Sequence, residues 1–295
     1  MANTAVASDL STFDPWLGKT REDGDCASPV TVRRVAALLN RSEPHGDPGE
    51  HVPAHWYFAL FTPSEPQSSI GIDGHPRTGD FLPPIALPRR MFAGRRVSFH
   101  QALRVDEPVV RRSRIQSITP KRGRSGEMCF VTVRHEISGP RGLLVTEEQD
   151  IVYRDAPAPN CAAPPAATTG AEALSGSGEF SMTFTPDPVL LFRYSAITFN
   201  AHRIHYDLAY ARDVEGYPER VVNGGLTTLM LWEFVANRTS RPITASQSRN
   251  ARALFVNRPV TLRADVAPDG KRARAVALDA DGELALRLEL ELGAA

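Results

Sequence analysis

Cysteine is scarce in this chain: Cys26, Cys129 and Cys161 stand far apart among 295 residues. An odd number of distant thiols with no Cys-x-x-Cys pair excludes a disulfide framework, a zinc ribbon and a dithiol redox centre. Net charge is absent as well, with 34 Lys and Arg against 34 Asp and Glu. No global field therefore draws the chain to nucleic acid or to an anionic membrane, and neither partner is expected. Long apolar runs are missing too, since none approaches the roughly 18 residues of a transmembrane helix. The first residues, MANTAVASDLSTFDPW, carry Asp9 and Asp14 and no basic start. A secretory or transit peptide is not recognisable there, and a reduced, cytoplasmic setting is the expectation.

What the chain does have is length for two units of ordinary domain size. Ser28-Pro29 can cap and open a helix running from Val30 to Asn40, with Val32, Val35 and Leu39 on one face. From His45 to Pro88 the run is rich in Pro, Gly and Ser, which predicts long loops broken by short elements such as Trp56 to Phe61. Loops of that length are uncommon unless they cover a site. Four strands are predicted next: Arg95 to Val105, Glu107 to Ile118, Met128 to Ile137 and Leu144 to Tyr153.

Asp155 to Glu179 is almost all Ala, Pro, Gly, Ser and Thr, too poor in large apolar groups to bury anything, and reads as a linker. Beyond it Phe180 to Phe184 is a lead-in strand. Val260, Leu262, Ala264 and Val266 alternate with polar residues, as do Leu284, Leu286, Leu288, Leu290 and Leu292, and Asp279 to Gly282 supplies a hairpin turn. The order of elements suggests duplication: residues 1–154, a linker at 155–179, and residues 180–295, each unit of the α+β class.

Phe192 to Phe234 holds most of the chemistry. Phe192 to Ala196 ends a strand or begins a short helix, and the polar run Asn200 to Asp207 contains His202 and His205. Val221-Val222-Asn223-Gly224-Gly225 then opens Leu226 to Val235, apolar apart from Thr227, Thr228 and Glu233. A helix apolar on nearly every face belongs in a core. Its N-terminus is then an internal patch of unpaired N–H donors with partial positive charge. The plainer readings are that both histidines only cap a loop and that the glycines only make a turn. As metal ligands His202, His205 and Asp207 fit by type, but three residues within six positions rarely close a site, so no metal is expected.

The run FRYSAITFNAHRIHYD, followed by EGYP and VVNGGL, resembles the MaoC-like branch of hotdog-fold (R)-specific enoyl-thioester hydratases and dehydratases. With GDFLPPIALPRRMFAGRRVSFH, RSGEMCFVTVRHEI and TEEQDIVYR in the first half, the chain is similar to the double-hotdog group that includes mesaconyl-CoA and itaconyl-CoA hydratases. The resemblance implies two hotdog units, each a long central helix wrapped by an antiparallel sheet. It implies a non-catalytic, pocket-shaping first unit and a substrate carried on coenzyme A, with no separate cofactor. A homodimer of double-hotdog chains is the candidate assembly.

Carried over residue by residue, His205 stands at the position of the family's catalytic histidine. Asn200 stands where the family has an aspartate, and it does not titrate. Asn223-Gly224 replaces a His-Gly pair at the head of the central helix, where Gly224 and Gly225 would receive the thioester oxygen. Proton delivery then falls to His205 or to another acid such as Asp207. Tyr194 and Ser195 are candidates for the acyl pocket. Arg203, and the cationic pairs Arg89-Arg90 and Arg95-Arg96, are candidates for a free acyl carboxylate or the phosphates of coenzyme A. The implied reaction is addition of water to, or its removal from, a short, branched or dicarboxylic enoyl-CoA. The rivals are a thioesterase of the same fold and a catalytically weak acyl-thioester-binding protein.

Overall fold

The computed structural model describes residues 13–123, 126–155 and 179–294. Apart from its two ends, the predicted linker lies outside them. The first predicted helix is present as α1, Pro29–Leu38. Ser28 Oγ accepts from the Thr31 N–H at 3.2 Å, Pro29 occupies the first turn, and Val32, Val35, Ala36 and Leu38 are buried.

The strands of the first half are β1 (Thr20–Cys26), β3 (Arg89–Phe99), β5 (Pro108–Gly123), β6 (Gly126–Gly139) and β7 (Gly142–Arg154), with a two-residue ribbon of β2 (His51–Val52) and β4 (Leu103–Arg104). Those of the second are β8 (Phe180–Phe184), β9 (Ile243–Asn250), β10 (Val260–Val266), β11 (Arg272–Leu278) and β12 (Leu284–Leu292). Ten of them form one sheet in the order β1-β5-β6-β7-β3-β9-β12-β11-β10-β8. The two halves join where β3 pairs antiparallel with β9, Val97 opposite Ser246. The predicted Asp279–Gly282 turn closes the β11–β12 hairpin, with Asp279 N–H donating to the Glu283 carbonyl at 2.9 Å. Alternation along β12 buries Leu286, Leu288, Leu290 and Leu292 and exposes Arg287, Glu289 and Glu291.

The long helix of the second half, α4 (Gly224–Thr239), is wrapped by β9, β10, β11 and β12 and buries Leu226, Leu229, Leu231, Trp232 and Val235. It stops at Ser240, which takes a left-handed φ of 52°. The expectation of a long central helix in both halves holds only for the second. In the first, the element packed on α4 is a single 3-10 helix, Ala54–Ala59, which buries Trp56 and Tyr57. Prolines at 44, 48, 53, 63 and 66 bracket that stretch, and each lacks an N–H and crowds the preceding turn, so a longer helix does not fit. The concave face of β5, β6 and β7 is therefore left lining a cavity rather than covering a helix.

Candidate active site

The segment before the histidines is helical. In α2 (Pro188–Ile197) Asp187 Oδ1 accepts from the Leu190 N–H at 2.7 Å and Pro188 fills the first turn, so Phe192 to Ala196 lie inside a helix rather than a strand. Phe199, at φ 47°, turns the chain out of it. Asn200 Oδ1 then accepts from the His202 N–H at 3.0 Å, an Asx turn that starts the 3-10 helix Arg203–His205. His205 is buried, and its Nδ1 lies 2.7 Å from the Val221 carbonyl oxygen. A carbonyl only accepts, so Nδ1 carries the proton and Nε2 is the basic nitrogen. Burial holds the His205 pKa down, to about 4, which keeps the ring neutral around pH 7. Burial likewise pushes His202 down to about 2, with further repulsion from His75 and His205.

Val221 leads directly to the head of α4. Asn223 stands at the cap position, but its side chain does not cap, and both its amide atoms are buried without a partner. The first bond within the helix is Thr227 N–H to the Asn223 carbonyl, so the N–H groups of Gly224, Gly225 and Leu226 have no acceptor inside it. Together they form a donor patch suited to an oxyanion. Gly225 is required by its neighbour: a Cβ there would lie 2.3 Å from the Tyr194 hydroxyl oxygen. Tyr194 is stacked on Phe58 at 5.6 Å, and burial raises its hydroxyl to about 12, so it stays protonated. Ser195 Oγ is buried with no partner.

Tyr194, Ser195, Asn200, His202, His205 and the Asn223–Gly225 run line one cavity of ≈ 3380 Å³, to which both halves contribute. Arg203 and Asp207 do not line it. Asp207 Oδ1 caps α3 (Leu208–Asp213) by accepting from the Tyr210 N–H, and its Oδ2 accepts from Arg203 Nε and Nη2. Arg203 also stacks over Tyr210, at 4.3 Å. The carboxylate role expected for Arg203 and the proton role left open for Asp207 are both corrected by this pairing. Arg89 lines the cavity but is tied to Glu215 at 2.8 Å, while Arg90 Nη2 donates to the Pro76 carbonyl. Arg96 is bound to Glu148 and Asp150. Arg95, like Arg89, is buried: its Nη1 donates to the Tyr57 hydroxyl at 3.2 Å and lies 3.4 Å from Glu147 Oε1, and its Nε has no hydrogen-bond partner.

The loop from the first half adds residues that the sequence reading passed over. Asp73 Oδ2 accepts from His75 Nδ1 at 2.9 Å, its Oδ1 accepts from the His75 N–H, and the His75 ring centroid lies 4.1 Å from that of His202. The signal was available as an Asp-Gly-His triplet in a loop expected to cover a site. By donor type Asp73, His75 and His202 could hold a cation, their ligand atoms lying within 4.8 Å of one another. Asp73 is instead occupied by His75.

The family described as "Hydroxyacyl-thioester dehydratase type 2" matches residues 54–256, a span that holds Asp73, His75, His205 and the whole of α4. The chain belongs to this family. It is 43% identical over 282 residues to the Mesaconyl-C(4)-CoA hydratase of Chloroflexus aurantiacus, covering 94% of this chain and 97% of that protein. A solved MaoC-like dehydratase superposes with a TM-score of 0.70 at 12% identity over 96% of this chain and all of that one. A Mycobacterium tuberculosis protein described as a double hotdog gives 0.61 at 13% identity, over 94% and 96%. The fold is a double hotdog. The protein is accordingly a thioester hydratase/dehydratase.

Proposed function

We propose that the chain adds water to, or removes it from, the double bond of a short, branched or dicarboxylic enoyl-CoA. The observation that carries this is a neutral, buried imidazole, His205, anchored three residues before the uncapped head of a buried helix in the same cavity. In hydration, His205 Nε2 takes a proton from water as the oxygen attacks the β-carbon. The N–H groups at Gly224 and Gly225 hold the charge that develops on the thioester oxygen. A dicarboxylic acyl group is supported by the relative named for mesaconyl-C4-CoA hydration and by Arg95, a buried arginine that lines the cavity beside Glu147. In this reading residues 1–154 and 180–295 remain the two units, with 155–179 between them.

The test is a panel of thioesters, mesaconyl-C4-CoA, itaconyl-CoA and crotonyl-CoA, followed for loss of enoyl absorbance and for release of free thiol. Loss of the double bond with no free thiol, fastest for the dicarboxylic esters, is the expected result. Release of coenzyme A would point to a thioesterase instead, and binding without turnover to an acyl-thioester carrier.

Asn200 gives a finer test. Its Oδ1 holds the His202 N–H, so Asn200→Ala loses the turn that presents the histidines, and we expect kcat to fall by up to about 10² from misplacement. Asn200→Asp keeps that acceptor and adds a negative charge, which raises the His205 pKa from about 4. Only neutral His205 accepts a proton, so the acid limb of the pH–rate profile should move to higher pH in this variant. An unchanged limb in Asn200→Asp, measured between pH 3.5 and 8, would separate residue 200 from the titration of His205.

A further inference from the structure

Resting on the hydratase reading, the geometry points to His75, oriented by Asp73 and contributed by the first half of the chain, as a second catalytic proton carrier in the site, supplying what Asn200 does not. Hydration moves two protons: one leaves water and one arrives at the α-carbon. His205 accounts for the first. With no titratable side chain at position 200, the second falls to protonated His205 itself or to another group in the site, and the structure places His75 there.

The His75 ring lines the same cavity, and its orientation is fixed. Asp73 Oδ2 accepts from Nδ1, so Nε2 is the nitrogen that exchanges protons. The carboxylate beneath it stabilises the imidazolium form, the arrangement by which a buried acid orients a general base and supports its charge. The ring sits 4.1 Å from His202, which in turn meets His205 edge-on at 5.4 Å, so the three imidazoles are contiguous.

The loop is locked against the histidine segment rather than resting on it. Asp73 O accepts from the Arg203 N–H at 2.9 Å, and the Ile72 carbonyl accepts from Arg203 Nη1. Gly74 lies at φ +91°, where a Cβ would fall 1.8 Å from the Ala201 carbonyl oxygen, so only glycine allows this approach. On the far side Arg90 Nη2 holds the Pro76 carbonyl. A loop that served only as a cover would not need backbone contact with the residue beside His202.

The step balances. His205 Nε2 takes a proton from water, the water oxygen bonds to the β-carbon, and the π pair moves to the enolate oxygen at the head of α4. His75 imidazolium then gives its Nε2 proton to the α-carbon as the carbonyl reforms. One water is consumed, and the proton gained by His205 returns to His75 to reset the pair. In dehydration the same groups act in reverse, with neutral His75 taking the α-proton.

The charged and titratable groups around His75 are Asp73 on its own loop, Arg90 on β3, His202 and His205 on the motif, and Glu215 after α3. Burial, the larger effect, holds its pKa below the ordinary imidazole value, and the Asp73 carboxylate offsets only part of that. Asp73→Asn keeps one acceptor oxygen for His75, puts an amide N–H at the other contact and removes that charge. The basic limb of the hydration profile, where His75 loses its proton, should therefore move down by about 1 unit.

The experiment compares wild type, His75→Ala and Asp73→Asn as full chains, with whichever thioester the wild type hydrates. His75→Ala should lose at least about 10² in kcat, with KM within threefold, and recover at least tenfold in added imidazole. Two results overturn the assignment: kcat within fivefold of wild type in His75→Ala, or a loss that imidazole does not restore while Asp73→Asn keeps the wild-type profile. Wild type that hydrates no thioester is a different failure, which strikes the hydratase reading itself.

Discussion

Replacing His205 should lower the hydration rate about 10²–10⁴-fold, the usual contribution of a positioned general acid–base. Two substitutions separate chemistry from architecture. His205→Ala removes both ring nitrogens and leaves the Val221 carbonyl without its 2.7 Å donor, so some stability is lost with the activity. His205→Asn places an amide N–H where Nδ1 was, keeps the carbonyl satisfied and still removes the basic nitrogen. Both variants should lose turnover, and His205→Asn should keep the wild-type melting temperature within a few degrees. In the wild type, kcat/KM should fall as pH drops through about 4, where His205 becomes protonated and no longer accepts from water. Turnover of His205→Asn within a few-fold of wild type would place the base elsewhere.

The C-terminal half was legible because its signals are local and of one kind. Period-two leucines specified β12, and a segment apolar on nearly every face specified the buried α4. The helix holding Tyr194 and Ser195 was less legible, since its apolar residues show little one-sidedness; the Asp187-Pro188 start was the stronger signal. In the first half, long Pro-rich loops were expected to cover a site, and residues 63–88 do line the cavity, but nothing in their spacing ties His75 to His202, 127 positions later. That contact exists only because β3 joins β9 and brings the loop before β3 to the histidine segment. Two of the arginines were misleading for a related reason: Arg89 and Arg203 read as free cations until Glu215 and Asp207 were placed beside them. Charge in a sequence says little about whether a partner has already taken it.

Glu233→Ala should destabilise the protein by about 3–5 kcal/mol, the cost of breaking a buried ionic pair from one side. Of the three polar residues on the predicted apolar helix, Thr227 and Thr228 bond back to carbonyls four residues earlier. Glu233 has donors from the other half of the chain. Its Oε1 accepts from Trp56 Nε1 at 2.7 Å and lies 2.6 Å from His55 Nε2, and its Oε2 accepts from Arg41 Nη1 at 3.0 Å. Losing the carboxylate strands those donors against the Trp232 side of α4, where His55 and Tyr57 pack. Glu233→Gln keeps an acceptor but not the charge, and should lose less. Burial alone would raise the Glu233 pKa, but the hydrogen bonds from His55, Trp56 and Arg41 outweigh it and bring it to about 2. The stability it contributes is therefore fully present above about 4.5 and is lost as pH falls toward 2, because the unfolded chain takes up the proton first. The buried rings of His135 and His205, both held down to about 4, remove stability between about 6.5 and 4 in wild type and variant alike. Urea denaturation of wild type and Glu233→Ala from pH 7 to 3 isolates the carboxylate in the difference. A gap that is wide at neutral pH and narrows below 4.5 is expected; a gap that stays constant down to pH 3 would mean that Glu233 acts by packing volume and not by its charge.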